Sequence, residues 1–222
     1  MGPLNLLAID TATERCSVAA RINDAWYERT VDTQRGHADI VLTMVDEVLK
    51  EGGITLANLD GIAYGRGPGA FTGVRIAVGV VQGIAFGANL STVGISNLAA
   101  VAQQVAAPHR NILVCMDARM KEIYWARYRC NAEGLVDLVG SEQLSGPEAI
   151  EADAIDTLVG SAAAAYPLLA ARFASVTQVT ALPRARDIVV LAEREFAAGR
   201  GKSAFDVQPV YLRDQVTFVK TG

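Results

Sequence analysis

The chain has 222 residues, 51% hydrophobic and 20% charged, with a formal net charge of −4. That length suits one large domain or two small lobes, and the composition excludes a disordered chain. The acidic balance excludes a protein that grips nucleic acid unaided through a basic surface.

The N-terminus, "MGPLNLLAID", lacks a basic region and a cleavage site, so no signal peptide is expected there. "LNLLAID" reads as a buried strand, stopped by polar "TATER". "CSVAARI" follows as a second strand, and Asn23-Asp24 makes a tight turn into a third, "AWYERTV". In "HADIVLTMVDEVLKEGG", Ile40, Val41, Met44, Val45, Val48 and Leu49 fall on one broad helical stripe, and Gly52-Gly53 supplies the stop. His37 starts this helix, with Asp39 favouring its dipole. "GIAYG" is a short strand, and "GRGPGAFTGVRIAVGVVQGIAFG" is a loop and second helix.

The order then starts again. "NILVCMDARMKE" lines up with "LNLLAIDTATER", so Asp10 and Asp117 take the same place. "IYWARYR" and "LVDLVG" are strands joined by "NAEG", and "SGPEAIEA" opens a short helix. "DTLVGSAAAAYPLLAARF" reads strand, turn, helix, and "PRARDIVVLAEREFAAG" is a terminal helix with Pro near its start and Gly at its end. The duplicated order resembles the actin-like ATPase superfamily (ASKHA): an α/β fold of two lobes, each a mixed sheet with flanking helices. Residues 1–106 form the N-terminal lobe and 107–222 the C-terminal lobe with terminal helix and tail.

Actin-like enzymes hold phosphates on Asp-x-Gly turns, where Asp orients metal-bound water and Gly lets backbone N–H groups approach the anion. Here the turns read Asp10-Thr11-Ala12-Thr13 and Asp117-Ala118-Arg119, with side chains in both glycine slots. The adenosine-type turn, Val159-Gly160-Ser161-Ala162, keeps one glycine. Asp10, Thr11, Thr13, Asp117 and Arg119 are therefore a residual nucleotide or anion site, or plain turn caps. The Gly-rich loop lacks the Lys-Ser/Thr of a P-loop. Thr72 is the expected cap of its helix. Gly67 and Gly69 shape a tight turn or, with Arg66 and Arg75, an anion site; the turn is the favoured reading.

No metal ligands are expected. His37 and His109 are far apart and lack an HxxxH or HExxH partner. The three cysteines show no CxxC spacing; Cys16 and Cys130 read as small buried hydrophobes, and a reducing cytoplasm fits best. Arg110, Arg119, Arg127 and Arg129 read as a solvated face rather than a tRNA patch.

From Gly73 to Ala88 only Arg75 and Gln82 are polar, and Gly79, Gly83 and Gly87 recur every four residues as one smooth ridge. Each interior glycine costs about 1 kcal/mol against alanine, so something is expected to pack closely there. The pattern fits either a partner surface or full burial. The longest apolar run, Ile76 to Ala88, is too short to span a bilayer.

"LLAIDTATERCSVA", "GRGPGAFTGVRIAVGVVQGIA", "GISNLAAVA", "MDARMKEIYWARY" and "PVYLRD" resemble the bacterial TsaB (YeaZ) family in order and spacing across essentially the whole chain. The resemblance implies a cytoplasmic, non-catalytic accessory subunit in forming N6-threonylcarbamoyladenosine at A37 of ANN-decoding tRNAs. It implies a helix-bundle dimer with the catalytic paralogue TsaD, docking of the ATPase TsaE, tRNA within the complex, and no membrane. ATP or ADP and a metal would belong to the partner complex, with no cofactor in the isolated chain. The implied interface lies on about His37–Glu51 and Thr72–Ala88: Ile40, Val41, Met44, Val45, Val48, Arg75, Ile76, Gly79, Val80, Gly83, Ile84 and Gly87. A homodimer through the same helices is a second use of that patch. "GISNLAAVAQQ", the segment nearest the paralogue's His-x-x-x-His, has no histidine, which argues against metallopeptidase activity. The alternative function is an independent actin-like ATPase or small-molecule kinase, against which Ala12 and Arg119 speak.

Overall fold

The computed structural model describes residues 3–107, 110–151 and 153–213. His109 lies outside them. Strand β1 (Leu6–Asp10) is buried at every position, with Leu7 and Ile9 on one face of the sheet and Leu6 and Ala8 on the other. It pairs antiparallel with β2 (Arg15–Ile22), which turns through Asn23 and Asp24, both at positive φ, into β3 (Ala25–Asp32). On its other side β1 runs parallel to β4 (Gly61–Gly65), and β4 to β5 (Thr92–Ile95). The first sheet is thus ordered β3-β2-β1-β4-β5.

The second sheet repeats the plan. β6 (Asn111–Asp117) pairs antiparallel with β7 (Ile123–Cys130), then β8 (Val136–Ser145), and parallel with β9 (Thr157–Val159), then β10 (Thr177–Val179). Its order, β10-β9-β6-β7-β8, is the first order read backwards, and Asp10 and Asp117 end the matching strands. This is the duplicated actin-like fold expected from the sequence.

Helices fill three layers around the two sheets. Helices α1 (His37–Glu51) and α2 (Phe71–Ala88) cover the Leu7/Ile9 face of the first sheet. The outer face of the second, lined by Leu113, Cys115, Ile123 and Trp125, is covered by α4 (Ala162–Ala165) and α5 (Pro167–Arg172). Between the sheets lie α3 (Asn97–Gln103) and α6 (Ala185–Ala197), packed on each other. α3 lies on β6, β7 and β8, whereas α6 lies on β1, β2, β4 and β5. One apolar core therefore runs from Leu6 and Ala8 through Leu98, Ile188 and Leu191 to Ile112 and Val114.

Several elements differ from the sequence expectation. α6, grouped there with the second lobe in 107–222, covers the first sheet: Ala185 N donates to Ser17 Oγ at 2.9 Å, and Arg21 pairs with Glu193. β5, α3 and β10 had no expected element, because two of them are three- or four-residue strands and α3 is seven residues. "SGPEAIEA" makes only a 3-10 turn over Pro147–Ala149. The last helix of the second repeat breaks into α4 and α5 at Tyr166-Pro167, because proline cannot continue the hydrogen-bond ladder.

Candidate functional site: two braced turns and an open helix face

Asp10 is completely buried. Its Oδ1 accepts from Asn97 Nδ2 at 2.5 Å, while Oδ2 has no hydrogen-bond partner among the described residues. Burial raises its pKa to about 6, against the lowering pull of Asn97, the Ala12 backbone and Arg15. Asn97 is itself held in place: its Oδ1 accepts from Gly67 N at 2.7 Å, and its N donates to Gly67 O at 3.0 Å.

The Gly-rich loop presses onto this turn. Thr11 Oγ1 donates to Gly73 O at 2.6 Å, and Ala70 N donates to Ala12 O at 2.7 Å. A Cβ added at Gly73 would lie 2.0 Å from Thr11 O, and one at Gly69 would lie 2.5 Å from Ala12 O. Those glycines permit backbone-to-backbone contact. Thr13 is fixed too, its Oγ1 accepting from Arg15 N and its carbonyl meeting His37 Nε2 at 2.8 Å. Of the N–H groups an anion would need, those of Gly67 and Ala70 already serve Asn97 and Ala12. Arg66, counted as a charge beside the loop, lies 3.6 Å from Glu142 of β8 instead, at a cavity of about 210 Å³ between the sheets. The geometry is that of a braced turn.

The second turn is braced from its own side. Asp117 Oδ1 accepts from Arg119 N at 2.8 Å and Tyr166 Oη at 3.0 Å, and Ser161 Oγ accepts from Asp117 N. Arg119, in the glycine slot, takes a positive φ of 62° and folds its guanidinium back to Asp117 at 3.1 Å. The residues expected for triphosphate are thus present, and Asp10 Oδ1, Thr11 Oγ1, Thr13 Oγ1 and Asp117 Oδ1 are engaged with the chain itself. Among the described residues, no three His, Cys, Asp or Glu side chains converge as a metal site.

The helices divide differently. In α1, Val41, Met44, Val45 and Val48 are buried in the chain's own core and do not reach the surface, a correction to their place in the expected interface. Their stripe is the sheet-facing side of α1; Ile40 lies at its half-buried margin. In α2, Gly73, Val74, Ala77, Val81 and Ala85 form the buried face. Ile76, Val80 and Ile84 are half-buried at its edges, and Arg75 is exposed. Gly79, Gly83 and Gly87 are exposed, and an added Cβ at any of them meets none of the described residues within 4 Å. Full burial of this helix is therefore wrong. α2 also starts at Phe71, with Ala70 as its cap, so Thr72 lies inside it and makes no cap. At 18 residues and mean hydropathy 1.5 it is long and apolar enough to cross a membrane by length and composition, unlike the run of 13 counted in the sequence, yet it lies flat on β1 and β4.

The sequence reading missed the last segment. A 3-10 turn over Ala204–Asp206 packs on α2, and the chain then runs back along it. Tyr64 Oη bonds both Gln208 N and O, Val210 N donates to Arg66 O at 2.7 Å, and Arg75 Nε donates to Tyr211 Oη at 2.7 Å. The signal was "PVYLRD", an aromatic in an otherwise patternless stretch.

The family model of TsaD, described as tRNA N6-adenosine threonylcarbamoyltransferase, matches residues 31–220. The tRNA threonylcarbamoyladenosine biosynthesis protein TsaB of Haemophilus influenzae is 38% identical over 99% of this chain and 98% of its own. That of Escherichia coli is 37% identical, with 98% of each chain covered. The structure of YeaZ from Pseudomonas aeruginosa superposes with a TM-score of 0.83 at 36% identity, covering 95% of this chain and 100% of that one.

Proposed function

Because the chain belongs to the TsaB (YeaZ) family, we propose that it serves tRNA threonylcarbamoyladenosine biosynthesis as a non-catalytic subunit, pairing with the catalytic paralogue TsaD through the open face of α2. The observation that carries this reading is the glycine ridge. Glycine in a helix interior, as at Gly79 and Gly83, costs about 1 kcal/mol against alanine, and among the described residues nothing packs on either of them or on Gly87. Glycine at those positions lets a foreign helix approach closely.

TsaD then transfers the threonylcarbamoyl group to A37 of ANN-decoding tRNA. TsaE and tRNA join the assembly, and nucleotide and metal reside with those partners. The braced turns support this division, because Asp10 Oδ1 already holds Asn97 and Asp117 Oδ1 already holds Arg119 N and Tyr166 Oη. The exposed face of α2 also pairs two copies of the chain when TsaD is absent.

The test is a pull-down and a reconstitution. Gly83→Leu or Val80→Glu abolishes TsaD binding and tRNA modification while circular dichroism and melting of the isolated chain stay native. Unchanged binding by both variants defeats the proposal. Tight Mg-ATP binding by the isolated chain would instead favour the independent ATPase or kinase.

A further inference from the structure

Among the described residues the exposed aromatic side chains number four, Phe71, Phe86, Phe205 and Tyr211, and all of them sit along α2. They form two contacting pairs. Phe71 meets Tyr211 at 5.4 Å between ring centroids, and Phe86 meets Phe205 edge-on at 5.6 Å. The pairs stand at opposite ends of the helix, about 22 Å apart at 1.5 Å per residue, with Gly79 and Gly83 between them. In each pair one ring comes from α2 and the other from the segment 204–211, and the pair at the C-terminal end is the more open: Phe86 is 67% exposed and Phe205 73%.

Arg75 adds charge to this surface. Its guanidinium lies 3.5 Å from the Phe71 ring centroid and bonds Tyr211 Oη, and among the described residues no carboxylate pairs with it. A stacked guanidinium held by a phenol is a fixed fork, the arrangement that suits carboxylate recognition. Large exposed apolar groups of this kind mark contact surfaces, and buried aromatics and arginine dominate their energetics.

Resting on the proposed function, we infer that the docking surface for the TsaD-type chain extends off the helices onto residues 204–211. The occupant is a helix of that paralogue with small residues opposite Gly79 and Gly83. Its two ends are gripped by the aromatic pairs, and a carboxylate near one end engages Arg75. Phe205 and Tyr211 are then specificity-determining anchors, so a partner that fits the glycine ridge but is bulky at its ends is rejected.

Calorimetry of the full chain against the TsaD-type chain of the same genome tests this, at 50 and 200 mM salt, with denaturation curves confirming that each variant folds. Phe205→Ala and Tyr211→Ala are expected to weaken binding about tenfold or more. Arg75→Gln weakens it and flattens its salt dependence. Wild-type affinity in both aromatic variants while Gly83→Leu still abolishes binding overturns the extension but spares the helix reading. An unaltered salt slope in Arg75→Gln overturns the carboxylate. Wild-type affinity in Gly83→Leu as well, or pairing only with a second copy of this chain, overturns both.

Discussion

Replacing Asp10 with asparagine should stabilise the protein at neutral pH. The carboxylate is fully buried, one oxygen lacks a partner among the described residues, and burial lifts its pKa from 3.8 to about 6. A carboxyl whose folded pKa lies above its unfolded value binds its proton more tightly when folded. Its contribution is therefore complete below pH 3.8 and is lost as pH rises through 6. A shift of that size corresponds to about 3 kcal/mol above pH 6. Asparagine copies the shape of the neutral acid and keeps an oxygen for Asn97 Nδ2. Asp10→Asn should then exceed wild type by up to about 3 kcal/mol at pH 7.5, or roughly 6–12 °C in melting temperature for a chain of this length. At pH 4 the difference should shrink to nearly nothing. Urea unfolding of both proteins from pH 4 to 8 measures it, and the difference between the curves cancels the acid unfolding driven by paired carboxylates such as Asp32. A variant less stable than wild type at every pH, or a difference independent of pH, would refute the reasoning.

Gly73→Ala should cost several kcal/mol in urea melts, because its methyl meets the rigid Thr11 carbonyl rather than a movable side chain. Gly79→Ala and Gly83→Ala should do the reverse, each stabilising the isolated chain by about 1 kcal/mol while weakening TsaD binding. In Cys16, burial pushes the thiol pKa up to about 11, and burial raises Cys115 and Cys130 as well. A thiol reagent at pH 8 should find little fast-reacting thiol until denaturant is added. Calorimetry with Mg-ATP should show no binding to the isolated chain; micromolar affinity would overturn the reading of the two turns.

The duplicated fold was legible because alternation and turn chemistry are local. Asn23-Asp24, Gly52-Gly53 and the paired Asp10 and Asp117 each mark a boundary by their own backbone preference. The α2 ridge was legible for the same reason, since three glycines at fourfold spacing conflict with helix propensity and call for an outside cause. What stayed hidden depends on contacts between distant residues. The stripe Val41, Met44, Val45, Val48 looks the same in sequence whether it faces a sheet or a partner, and only burial decides that it faces the sheet. Asn97 gives no local sign of joining Asp10 to Gly67, and the route of 204–213 along α2 is fixed by lone pairings such as Tyr64 with Gln208 and Arg75 with Tyr211.

The placement of α6 has a consequence for how the polypeptide is made. Leu6, Ala8, Ala19 and Ala63 leave the ribosome well ahead of Ile188 and Leu191, which belong to the helix that shields them. A nascent chain halted anywhere before residue 185 carries a sheet greasy on one uncovered side, a species that sticks to its neighbours or to a chaperone. Closure of the first sheet in this sense waits on synthesis: a later stretch of the message covers what an earlier one left open.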